Sequence, residues 1–198
     1  MDLARYLPLS QRGRDDESGV TGDRRVELAG LVRGAQRLAT SADASQRDDL
    51  ARAFARDAGL LPPESGPDFS AKDLDGLAAR IESGPRRKIP DLQRAVRGLL
   101  QLADAVGGEA RVAPLTLGAV ALQASITAPF DRRAAISGHT VVAVDADWSI
   151  GRGPELRGSA EGIVRFLLGL SDIPPRAPGR DETSGMSPRP TDDPRDLG

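Results

Sequence analysis

Few side chains in this sequence are equipped for chemistry. His139 is the only histidine and there is no cysteine, which excludes thiolate nucleophiles, disulfides and thiolate metal sites. A zinc site recruits three or four His, Cys or carboxylate ligands in a closely placed set, and here a single imidazole is on offer. A Ser-His-Asp arrangement would have to use His139, and no Gly-x-Ser-x-Gly turn presents a serine to it. Beside Gly138 at the expected entrance of a strand, His139 reads as a hydrogen-bonded structural residue.

Four further clusters have simple readings. Asp145, Asp147 and Ser149 have the alternate spacing that opens a calcium loop, but the sixth position is Ile150 instead of glycine and the twelfth is Leu156 instead of glutamate. On a strand the three share the solvent face. Gly151, Gly153 and Pro154 lack the third glycine and the Gly-Lys-Ser/Thr of a phosphate loop and read as a turn. Asp15, Asp16 and Glu17 are adjacent carboxylates that cannot all face one ion without ordering cost, and Arg86, Arg87 and Lys88 form the only basic triplet. Both runs read as solvated loops.

The formal net charge is -2, with both signs mixed along the chain, so no long-range field favours nucleic acid or an anionic membrane. The aromatic residues Tyr6, Phe54, Phe69, Phe130, Trp148 and Phe166 are too scattered for a base-stacking platform and read as core. Charged residues among the first twenty leave no signal-peptide core, and the apolar run 115–126 falls well short of the roughly 20 residues that span a bilayer. A cytoplasmic protein without membrane or nucleic-acid partners is expected. Only Lys72 and Lys88 of the 27 basic residues are lysine, a bias that GC-rich bacterial coding produces.

Apolar spacing supplies the elements. A short helix is expected around Leu3, Tyr6, Leu7 and Leu9, followed by a loop. Leu28, Leu31, Val32, Ala35, Leu38 and Ala39 form the stripe of an amphipathic helix. Ser45 and Asp48 have capping-box spacing ahead of Leu50, Phe54 and Ala58, with Gly59 as C-cap. Ser70 and Asp73 repeat that spacing before Leu74, Leu77, Ala78 and Ile81. Pro90 suits the first turn of a fourth helix through Leu92, Ala95, Val96, Leu99, Ala103 and Val106, whose face Leu100 and Leu102 widen. Residues 115–126 are apolar nearly all round and predict a helix buried on most sides, stopped by Pro129. Thr140, Val141, Val142 and Val144, then Trp148 and Ile150, predict a hairpin-like β element with Trp148 packed between strands and last helix. Ser159 caps that helix, which buries Ile163, Val164, Leu167 and Leu168. From Ser171 onward six prolines among Gly, Asp, Arg and Ser predict a disordered tail that folding does not need. The fold class expected is mainly α, a helical bundle over 1–138, a small α/β lobe over 139–171, and the tail over 172–198.

The order Asp145-x-x-Trp148, Gly153-Pro154, Arg157-Gly158-x-Ala160-Glu161 and an apolar run from Ile163 to Leu170 resembles the C-terminal region of the mycothiol-dependent maleylpyruvate isomerase family. The opening Met1-Asp2-Leu3-Ala4-Arg5-Tyr6-Leu7 is similar to a common start of its members. The resemblance implies a helical bundle followed by a lobe similar to sterol carrier domains, and a divalent metal held by bundle histidines that activates the thiol of mycothiol. Residues 1–138 contain no histidine, so no metal ligand carries over, and Asp48, Asp49, Asp73 and Asp104 fall mostly on polar faces. No cofactor and no catalytic metal are expected. The function expected is a divergent, non-catalytic relative of these isomerases and transferases that binds a small ligand or a protein partner. An unrelated helical interaction module is the alternative. An active thiol-dependent enzyme, using Arg or Asp groups in a cleft between bundle and lobe, is the minority reading.

Overall fold

The structure, a computed structural model, describes residues 22–61 and 68–179. The expected N-terminal helix, the Asp15-Asp16-Glu17 run and the chain beyond residue 179 lie outside the described residues. The chain divides into two compact units, Met1–Ala110 and Arg111–Gly198. That division falls ahead of the boundary expected at residue 138, because the two helices after Ala110 both pack with the last helix of the chain, and the first of them also meets a strand.

The first unit holds four helices, α1 (Arg25–Ser41), α2 (Arg47–Asp57), α3 (Asp73–Ser83) and α4 (Ile89–Val106). α1 is the centre, packed against each of the other three. Its expected stripe is buried at Leu28, Leu31, Val32, Ala35 and Ala39, and Leu99 of α4 lies beside Gly34. The breadth expected of α4 is real, since Leu100 and Leu102 are buried along with Leu92, Ala95, Val96 and Leu99. Half of the box expected at Ser70 and Asp73 forms: Asp73 accepts from the Ser70 N–H and hydroxyl at 2.8 and 2.7 Å, which holds its carboxyl below the ordinary 3.8, while no side chain caps the N–H groups of α3. The box expected at Ser45 and Asp48 does not form. Asp48 instead accepts from the Ala71 N–H at 2.9 Å, which joins the start of α2 to the entry of α3.

Asp23 holds the opposite end of this unit. Burial pulls its carboxyl upward, but the Arg25 guanidinium and the N–H groups of Arg87 and Arg25 outweigh it and leave the pKa lowered. The same carboxylate thereby ties the start of α1 to the loop before α4.

The second unit holds α5 (Pro114–Thr127), α6 (Phe130–Ile136), β1 (Thr140–Ala143), β2 (Ser149–Gly151), β3 (Glu155–Gly158) and α7 (Ala160–Leu167). The expected hairpin is present as β1 and β2, antiparallel with Val141 opposite Ile150. A third strand, which the sequence reading did not anticipate, lies parallel on the other side of β1, giving the order β2-β1-β3. Gly151 and Glu155 therefore both flank Thr140, from opposite sides. The chain between them crosses two strand spacings, about 9–10 Å, when four residue steps reach at most about 14 Å. A path this short must hug the end of β1. The Thr140 N–H donates to the Pro154 carbonyl and its hydroxyl to Gly153, and a Cβ at Gly151 or Gly153 would collide with the backbone of His139 or Gly138. Both glycines also have positive φ.

The stretch 171–179, the described part of the expected tail, is not loose. Over 171–179 the chain is held in two places. Arg157 and Arg176 exchange backbone hydrogen bonds at 2.6 and 2.9 Å, covering the free edge of β3, and Pro175 is buried. Arg132 of α6, its side chain only 15% exposed, donates to the carbonyls of Phe166 and Ser171 and pairs with Asp172, each at 2.6 Å. Its guanidinium also lies 5.1 Å from the centroid of the Phe166 ring. A cation on the last carbonyls of α7 suits the helix dipole, and it adds a polar anchor to the buried Pro175. Arg132→Ala is expected to destabilise the protein by about 2–3 kcal/mol, the scale of lost charge-assisted hydrogen bonds, and truncation after Ser171 to destabilise it too. Urea unfolding midpoints equal to that of the parent chain would contradict this.

Candidate interaction surface

The structure disperses the residues singled out for chemistry. The Nδ1 of His139 lies 2.9 Å from the Ser137 carbonyl in its own turn. Asp145, Asp147 and Ser149 are exposed, but the two aspartates lie in the β1–β2 turn and not along a strand. Asp145 has a structural task, accepting at 2.6 Å from the Ala160 N–H at the start of α7. The Ser159 hydroxyl accepts from Gly162 at 3.1 Å, as expected of the cap. Gly151, Gly153 and Pro154 form the crossing over β1. Of the basic triplet, Arg86 and Lys88 are exposed and Arg87 is half-buried.

The metal that the family resemblance implies does not fit the residues present. Asp48 is taken by Ala71, Asp49 pairs with Arg52 at 2.7 Å, and Asp73 caps Ser70. Among the described residues no three His, Cys, Asp or Glu side chains converge as a ligand set.

Among the described residues, a hollow of about 210 Å³ between β3, α7 and residues 173–176 is lined largely by backbone and proline, and two larger surfaces stand out. One is a cleft of about 390 Å³ in the first unit, lined by Asp57, Arg94, Arg97, Gly98 and Gln101. It is open to solvent, and Arg94 is already paired with Asp91 at 2.7 Å. The other surface is α5. From Val112 to Phe130 the chain carries no charged residue. Thr116, Leu117, Val120, Ala121 and Ala124 are buried, on the side from which α5 packs with α7. On the opposite side Leu115, Leu122 and Ile126 are 81, 54 and 66% exposed, and Phe130, three residues past the helix end, is 78% exposed. This corrects the expectation of a helix buried on most sides. Among the described residues the second unit supplies α7 and a three-stranded sheet as cover, and these leave one side of this uncharged helix in solvent.

Trp148 fixes the flank of α5. Its ring lies over Gly118, where an added Cβ would come within 3.1 Å of the indole Cγ and Cδ1. The expected place between strands and last helix is thus replaced by a seat on α5, and the indole nitrogen is buried without a hydrogen-bond partner among the described residues. Gly118 itself gave no signal in the sequence, because one small residue among the apolar and small residues of α5 breaks no pattern.

The chain matches no protein-family model, no curated protein and no solved structure. What the fold and surface define is therefore a class by architecture alone: a mainly α protein with a small α/β element, and with one face of an uncharged helix left open. No helix among the described residues is long and apolar enough to cross a membrane.

Gly118→Val is expected to push the indole off α5, red-shifting and broadening Trp148 emission and costing about 1–3 kcal/mol through overpacking. Unchanged emission and stability would show that the ring does not rest there.

Proposed function

We propose that this protein is a non-catalytic binding module that works through the exposed apolar face of α5. The observation that carries this is the pairing of total charge depletion over 112–130 with high exposure of Leu115, Leu122 and Ile126. Soluble chains surround single exposed apolar residues with charge; a contiguous uncharged apolar face marks a contact surface. The dispersed acidic side chains and the self-contained His139 support the non-catalytic part of the reading. Descent from the mycothiol-dependent maleylpyruvate isomerase family rests on the motif over 144–162 and on the order of helices, strands and final helix. A cytoplasmic location, with no nucleic-acid partner, completes the proposal and rests on the mixed charge of the chain. A small-ligand reading has less support, since the cleft beside α4 is open and its Arg94 is already paired.

A photo-crosslinking amino acid at position 122 is expected to give a discrete protein adduct when the protein is irradiated in its native cells. The same group at Arg97, exposed on the first unit, should give none. Equal labelling from both positions, or none from position 122, would overturn the reading.

A further inference from the structure

The spacing on the open face says what kind of partner fits it. Leu115, Ala119, Leu122 and Ile126 are separated by four, three and four residues, the alternation of d and a positions along a coiled-coil seam. At 100° per residue these four fall within about 60° of one another on the helix. The buried residues Leu117, Val120, Ala121 and Ala124 lie on the other side. The face is thus a short knobs-into-holes seam, and its occupant is a helix.

We infer that this helix is α5 of a second copy, packed antiparallel about a two-fold axis between Val120 and Ala121. This rests on the functional reading above and names its partner. The four-three-four spacing reads the same in both directions, so an antiparallel copy meets it in register. Leu115 then faces the partner's Ile126, and Ala119 faces the partner's Leu122, so each layer joins an a to a d position and the small residue always opposes a large one. A parallel copy would instead set Ala119 on Ala119 and leave a void. The flanking charges agree: Arg111 precedes the uncharged stretch and Asp131 follows it, both exposed, and neither has an ion-pair partner among the described residues. Antiparallel pairing brings each toward the opposite charge of the other copy, whereas parallel pairing brings like charges together. A stable interface removes about 800 Å² from each partner. Leu115, Leu122 and Ile126, exposed as they are, supply only part of that, which suits a reversible dimer.

Sedimentation equilibrium of the full chain, over a concentration series from micromolar upward, tests this. The mass is expected to rise from 20.8 kDa toward twice that value. Leu122→Glu should remain monomeric throughout with an unchanged circular dichroism spectrum. Arg111→Glu alone should weaken the dimer by about threefold or more, and Arg111→Glu with Asp131→Arg should restore it, a rescue that loss of folding would not give. A monomer at every concentration, or a dimer indifferent to Leu122→Glu, would overturn the inference. So would a dimer that forms only after residues 1–21 are removed, because that segment would then be the occupant. If the chain stays monomeric while position 122 still crosslinks to another protein, the inference fails and the binding-module reading stands.

Discussion

Between Val112 and Phe130 the chain has no charge with which to choose a side, so which face of α5 is buried is decided by what the rest of the second unit can cover. α7 takes one side through Leu117, Val120, Ala121 and Ala124, and Trp148 settles over Gly118 at the flank. Nothing else among the described residues covers Leu115, Leu122 and Ile126. In an ordinary amphipathic helix the uncovered side is polar and such a shortage has no consequence. Here it leaves an apolar seam in water, a state that association relieves.

The cover is small because the sheet is small, and the sheet's size follows from its connections. β2 and β3 flank β1 and are joined by only the three residues 152–154, so the path is pinned against Gly138 and His139 by Gly151 and Gly153. Arg176 then occupies the outer edge of β3, and Arg132 anchors the segment that carries it. Apart from the buried Pro175, these attachments are polar and lie away from α5.

Much of this was legible in the sequence, and the exceptions share one cause. α1, α3 and α4 follow from apolar spacing because each has one polar side, and the caps at Asp73 and Ser159 lie within three residues of the groups they satisfy. The box at Ser45 failed because Asp48 found Ala71, 23 residues away, and Asp145 caps α7 across 15 residues. Glu155-Leu156-Arg157-Gly158 contains no β-branched residue and becomes a strand only because β1 offers it a parallel edge. The hold of Arg132 on the chain beyond α7 is likewise non-local, and prolines in that stretch pointed toward disorder. Periodicity announced α5 but was silent on its exposed face, since an all-apolar helix gives the same pattern from either side.

The account turns on the open seam, and hydroxyl-radical footprinting over a dilution series reads it directly. Leu115, Leu122 and Ile126 should be modified at high dilution and protected as concentration rises, while Val26, 74% exposed on α1, reacts throughout. Leu115, Leu122 and Ile126 inert at every dilution, while Val26 reacts, would mean that the face is covered within the single chain, contradicting the account.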